Sequence, residues 1–189
     1  MKQNQYDIHK EVVQQCQTGS RVAQNKLYQL YNGAMYNICK RMMGDDQEAK
    51  DLLQDAFVEA FTKIGTLKEL NTFSAWMKRI TINKCLNALK KRKIFSVPLD
   101  QVEDVPEDES MIDRDIIGFE ADRVMKAVSQ ISEGCRTVLN LYLFEGYDHK
   151  EISQILSISE SASKSQYCKA KQKIRDLLVN NKIAGYGNR

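Results

Sequence analysis

A chain of 189 residues with 28 basic and 25 acidic side chains has a formal charge of only +3, and 42% of its residues are hydrophobic. That balance excludes an unfolded polyelectrolyte and suits two modest cores in a chain slightly long for one average domain. No apolar run approaches the ~20 residues that span a bilayer, and no secretory pattern is present, so a cytoplasmic protein without membrane insertion is expected.

Catalytic and metal chemistry find little purchase. Cys16, Cys39, Cys85, Cys135 and Cys168 are odd in number, widely spaced and never in a CxxC pair, so neither a disulfide framework nor a zinc site is expected. His9 and His149 lack metal-ligand partners at useful spacing, and there is no phosphate-cradling glycine loop or nucleophile elbow. The expectation is a non-enzyme with no cofactor and no metal.

In chain order, Ile8, Val12, Val13 and Cys16 predict a short amphipathic helix that ends at Gly19. A longer helix starts at Ser20, carries Leu27, Leu30, Tyr31, Ala34, Ile38 and Cys39 at helical spacing, and stops at Gly44. Asp45 and Glu48 form a capping box for a third helix running to about Lys63. Its apolar side is Leu52, Leu53, Ala56, Phe57, Ala60 and Phe61, and its polar side shows Asp51, Gln54 and Asp55. Taken alone, that polar side is a solvated face.

The fourth helix, about Thr72 to Lys93, lies in a stretch without any acidic residue between Glu69 and Asp100. Ile82, Cys85, Leu86 and Leu89 form its buried arc, while Arg79, Asn83, Asn87 and Lys90 share another face beside Trp76 and Ile80. Asparagines one turn apart, flanked by cations and an aromatic ring, suit contacts to bases and backbone of DNA strands. A solubilising basic face with Trp76 in the core is the plainer alternative.

Charge then partitions sharply. Residues 1–93 sum to +7, residues 94–118 to −7 and residues 119–189 to +3. Both prolines, Pro98 and Pro106, sit in the acidic segment Phe95–Asp115, which lacks periodicity and reads as a flexible linker. Two basic blocks joined by an acidic tether predict two contacts with a polyanion.

Beyond the tether, Asp148 and Glu151 form a capping box for a helix with the apolar stripe Ile152, Ile155 and Leu156. Ser157-Ile158-Ser159 is a turn, and Ser159 caps the next helix. There Tyr167, Ala170, Ile174, Leu177 and Leu178 fall on one side, and Lys164, Ser165, Cys168, Lys169 and Gln172 on the other. This is a helix-turn-helix pattern with one anchored face and one that offers donors to a major groove.

In order and spacing these motifs resemble a bacterial RNA polymerase sigma factor of the extracytoplasmic-function (ECF) type. The resemblance covers nearly the whole chain. It is carried by Asp51-Leu-Leu-Gln-Asp-Ala-Phe57, matching the family's D-x-x-Q-[DE]-x-F signature, by Phe73-Ser-Ala-Trp-Met-Lys-Arg-Ile-Thr-Ile-Asn83, and by the helix-turn-helix. It implies an all-α fold of two small helical domains, 1–94 and 118–189, joined by the linker 95–117.

The resemblance also implies roles. Asp51, Gln54 and Asp55 would bind the β′ clamp of core RNA polymerase. The loop Leu67–Thr72, with Leu67 and Asn71, would capture an extruded base of the promoter −10 element, lined by Trp76, Lys78, Arg79, Asn83, Asn87 and Lys90. Lys164, Ser165, Gln166, Cys168 and Lys169 match positions that approach the −35 element, in a domain that also docks on the β flap. Promoter DNA and an anti-sigma factor are the further partners implied. Ser161-Ala162-Ser163, Gln166, Tyr167 and Leu67 depart from the common family residues. The rivals are a stand-alone helix-turn-helix activator and a helical protein adaptor.

Overall fold

The structure is a computed structural model that describes residues 2–92 and 121–186, with side chains described over 9–92 and 123–179. The acidic segment read as a linker lies outside the described residues. The chain divides into two compact units, residues 1–88 and 89–189. All regular elements among the described residues are helical.

The first unit is built from α1 (Lys2–Gln17), α2 (Arg21–Met43), α3 (Asp46–Lys63) and α4 (Phe73–Lys91). Two 3-10 turns, Ile64–Thr66 and Leu70–Thr72, connect α3 to α4. The boundaries have local causes. Ser20 caps α2 by accepting from the Ala23 amide, and Gly44 ends that helix in the left-handed conformation at φ 77°. Asp45 caps α3 by accepting from the Glu48 amide at 2.8 Å.

The α2–α3 corner is pinned by Asp46. Its carboxylate accepts from Tyr36, from Lys40 at 3.2 Å and from Lys50 at 2.6 Å. Those hydrogen bonds, that from Lys50 foremost, hold the Asp46 carboxyl well below the usual carboxylate range.

The core of this unit takes Val12, Val13 and Cys16 from α1, Leu27, Met35, Ile38 and Cys39 from α2, Leu53, Ala56, Phe57 and Ala60 from α3, and Phe73, Met77 and Cys85 from α4. Three expectations need correction, the first being Ala34, which was read in the apolar stripe of α2 and is exposed. Leu30, read as part of the apolar stripe of α2, is 58% exposed, because α1 and α3 cover only part of that helix's circumference. Ile80, read beside the polar face of α4 and outside its buried arc, is buried.

Burial also sets the state of the thiols. Cys16, Cys39 and Cys85 are buried and free. The Cys85 thiol is pushed far above its ordinary range by its hydrogen bond to Cys39 and by desolvation, which keeps it protonated and unreactive.

His9 joins α1 to α2 and α4. Its Nε2 lies 2.5 Å from the Tyr31 hydroxyl, and its ring meets Tyr31 edge-on at 5.6 Å and Phe73 at 6.1 Å. Desolvation lowers its pKa below the ordinary 6.5. The unfolded chain therefore takes up this proton first. The stabilisation from neutral His9 is complete above about pH 6.5 and is lost as pH falls through the lower folded value. The urea midpoint of the first unit should decline below pH 6.5, and His9→Gln should flatten that part of the profile. Identical profiles for both proteins would refute the assignment.

The second unit holds α5 (Ala121–Gln130), α6 (Glu133–Leu139), a π turn over Asn140–Phe144, α7 (His149–Leu156) and α8 (Glu160–Tyr186). The capping box of α7 is complete in both directions between Asp148 and Glu151. Ser157 ends α7 in the left-handed conformation at φ 57°, and the Ser159 hydroxyl caps α8 by accepting from the Ala162 amide at 3.0 Å.

Arg136 is 5% exposed, and its guanidinium donates to the carbonyls of Ser129 and Ile131 at 3.1 and 3.3 Å. A cation thus closes the C-terminal end of α5, where orphan carbonyls and the helix dipole both favour it.

Candidate polymerase and nucleic-acid interface

Helical spacing and burial place three groups of side chains on open surface. On α3, Asp51, Gln54 and Asp55 are all exposed, at positions i, i+3 and i+4 of one face. Gln47 donates to Asp51 at 3.2 Å from one turn earlier. Val58 continues the same face and is 66% exposed. A single exposed apolar side chain is ordinary on a protein surface, so Val58 extends the open face without by itself marking a docking site. The sequence reading missed Val58, although its place at i+3 from Asp55 was available.

The second group is a strip along α4. At 100° per residue, Trp76, Arg79, Asn83, Asn87 and Lys90 fall within an arc of about 80°. Arg79, Asn83, Asn87 and Lys90 are exposed, and Trp76 is half-buried against Phe73, with ring centroids 6.0 Å apart. Most of the remaining circumference is buried, so this strip is most of what α4 offers to a ligand. Lys78 lies about 100° outside it by the same geometry. Lys84 is engaged elsewhere, pairing with Glu59 at 2.8 Å.

The connection before α4 combines anchored and open residues. Ile64 and Leu67 are buried, whereas Lys68, Glu69, Asn71 and Thr72 are exposed. Leu67 was expected to face a captured base. Its side chain instead belongs to the core, at 8% exposure. What holds the turn is Gln17 at the end of α1, whose Nε2 donates to the carbonyls of Ile64 at 2.9 Å and Leu67 at 2.8 Å. Periodicity could not reveal this contact, since the partners are 47 and 50 residues away.

The third group is the outer face of α8. Lys169 and Gln172 are exposed, Cys168 is half-buried, and Lys164 is half-exposed and paired with Glu160 at 3.5 Å. Two expected contacts are not on that open face. Ser165 is 8% exposed, and Gln166 turns its Oε1 onto α6, where it lies 3.2 Å from the position a Cβ at Gly134 would take.

The inner side of α8 is anchored by Tyr167, Ala170, Ile174 and Leu178, all buried. Its angle to α7 is set by His149, whose Nδ1 lies 2.9 Å from the Ser163 hydroxyl. The His149 ring also stacks on Tyr142 at 4.5 Å and meets Tyr167 at 5.7 Å. Lys171 is buried over the Tyr167 ring, 4.6 Å from its centroid, so its charge is spent inside the domain.

No cluster of histidine, cysteine or carboxylate side chains among the described residues could hold a metal ion. Among the same residues, no helix is long and apolar enough to cross a membrane.

Comparison with known proteins fits this arrangement. Residues 27–94 match the model of Sigma-70 region 2, and residues 121–174 match that of Sigma-70, region 4. The chain is 23% identical over 179 residues to the ECF RNA polymerase sigma factor SigW of Bacillus subtilis, covering 89% of this chain and 96% of that one. It is 25% identical over 188 residues to the RNA polymerase sigma-H factor of Pseudomonas aeruginosa, covering 89% and 92%. Its fold resembles that of the sigma factor RpoE of Bartonella quintana, solved with the anti-sigma factor NepR. The TM-score is 0.50 at 19% identity, over 82% of this chain and 95% of the other.

Proposed function

We propose residue-level roles for a chain that belongs to the sigma-70 family as an ECF-type sigma factor, a subunit that binds core RNA polymerase and directs promoter-specific initiation. Residues 1–94 form its polymerase-binding and −10 domain, 95–117 the tether, and 118–189 the −35 domain. The family is not an enzyme class, and the chemistry of transcription belongs to the polymerase that this protein directs in the cytoplasm.

The observation that carries the reading is the open strip of α4, which follows the carboxylate face of α3 after two short 3-10 turns, the first of them anchored by Gln17. Asp51, Gln54 and Asp55, extended by Val58, dock on the β′ clamp. Separated strands then lie along Trp76, Arg79, Asn83, Asn87 and Lys90, with Asn71 and the rest of the exposed loop at one end. Cations hold the backbone and the asparagine amides meet base edges, offsetting the few kcal/mol that base extrusion costs. Lys78 contributes to the general positive field from outside the strip.

In the second domain Lys164, Cys168 and Lys169 face the −35 duplex. Ser165 and Gln166 act from behind them, holding α8 in place, and the same domain docks on the β flap. An anti-sigma factor is the regulatory partner this architecture admits. The solved complex of a sigma factor of similar fold with NepR supports that reading. A stand-alone activator has no use for the α3 face, so that rival is not favoured.

Salt dependence of strand binding tests the strip. Each phosphate contact to a single strand contributes about 0.7 to the slope of log affinity against log salt. Holoenzyme carrying Arg79→Ala with Lys90→Ala should show a slope shallower by about 1.4 on single-stranded promoter DNA. Asn83→Ala with Asn87→Ala should weaken binding at every salt concentration and leave the slope unchanged. Equal slopes for wild type and the cation variant would remove α4 from the DNA interface.

A further inference from the structure

We propose that Gln17 is a positioning residue for promoter opening, holding the base-capture loop in its receptive shape from α1; this rests on the −10 role of that loop. The residue lies outside the region 2 match, which begins at Leu27. Both of its contacts are to backbone. One amide nitrogen donates to Ile64 O at 2.9 Å and to Leu67 O at 2.8 Å, the two ends of the first 3-10 turn. The Leu67 amide closes the same turn onto Ile64 O at 3.1 Å.

Both hydrogens of the Gln17 amide are thus committed to one tight turn. Two carbonyls that would otherwise be hydrated are held at fixed separation, with the Ile64 and Leu67 side chains buried beneath them. The exposed residues that follow, Lys68, Glu69, Asn71 and Thr72, hang from this clamp, and Thr72 closes their own turn by donating to Glu69 O at 2.7 Å. A loop that is already ordered loses less conformational freedom when a base enters it, so Gln17 should raise affinity for the extruded base without touching it.

The test uses holoenzyme reconstituted from the full chain and purified core polymerase. The probe is a short single strand selected on wild-type holoenzyme from a randomised pool, together with versions carrying one abasic site at each position in turn. Wild type should bind one abasic strand much more weakly than the intact strand. Gln17→Ala should bind the intact strand about tenfold more weakly, the factor that corresponds to 1.4 kcal/mol, and that abasic strand nearly as wild type does, with core co-elution unchanged.

If Gln17→Ala lowers the thermal midpoint of the first unit, Gln17→Asn is read the same way. It is one methylene shorter and cannot span both carbonyls, yet it keeps a polar amide at the helix end. A variant that discriminates intact from abasic strands as well as wild type overturns the positioning role, as does an equal loss on both. If wild type itself distinguishes no abasic position, the loop's −10 role falls, and the proposal with it.

Discussion

Asp51→Arg/Gln54→Ala/Asp55→Arg should abolish co-elution with core RNA polymerase while leaving the helicity of the chain unchanged. All three side chains are exposed, so their replacement neither opens a cavity nor strands a buried charge. Their loss falls on binding alone. Interface energy concentrates in a few residues that each contribute about 2 kcal/mol or more, and the reversed charges add repulsion towards a partner that accepts carboxylates. The affinity loss should therefore exceed about 100-fold, and binding titrations at two ionic strengths give its electrostatic share. Full co-elution of the triple variant would move the docking surface off α3.

Phe73→Ala should have the largest effect on stability. The side chain is fully buried where the connecting loop enters α4, with ring centroids 5.2 Å from Tyr31, 6.1 Å from His9 and 6.0 Å from Trp76. Removing a buried phenyl ring costs about 3–5 kcal/mol, the lost transfer energy plus the cavity left behind. Against the 5–15 kcal/mol that stabilises a typical domain, this is from about a fifth to all of the total, and it leaves the first unit marginal. Trp76 is the one tryptophan of the chain, so its fluorescence reports the first unit selectively. Urea unfolding followed at that ring should shift to much lower denaturant, while the unfolding of the second unit, followed by circular dichroism, stays in place. An unshifted tryptophan transition would show that the ring cluster is not a core.

Local chemistry and periodicity were enough to place most of the architecture. Ser20, Gly44, Asp45, Asp148, Glu151 and Ser159 stand where caps and stops are expected, because each acts on backbone groups within three or four residues of itself. The apolar arcs of α3, α4 and α8 are legible for the same reason: helical spacing alone decides which residues can share a face. The carboxylate signature of α3 and the exposed amide-and-cation strip of α4 were visible as residue types at fixed intervals.

Other features depend on groups far apart in the chain, and only the tertiary structure decided them. Nothing within a turn of Gln17 indicates that its amide reaches the backbone of the α3–α4 connection, nor does anything near Arg136 single it out to close α5. Leu30 follows the apolar period of α2 and still faces water, because a partner helix covers a limited arc. Leu67 and Ser165 stand at positions that the family resemblance assigns to open sites yet are buried, and Gln166 faces Gly134 instead of the open face of α8. Spacing along a helix fixes which side chains lie together; which of them meet solvent depends on where the other helices pack, and that is settled by burying the most apolar surface with every amide and carbonyl satisfied.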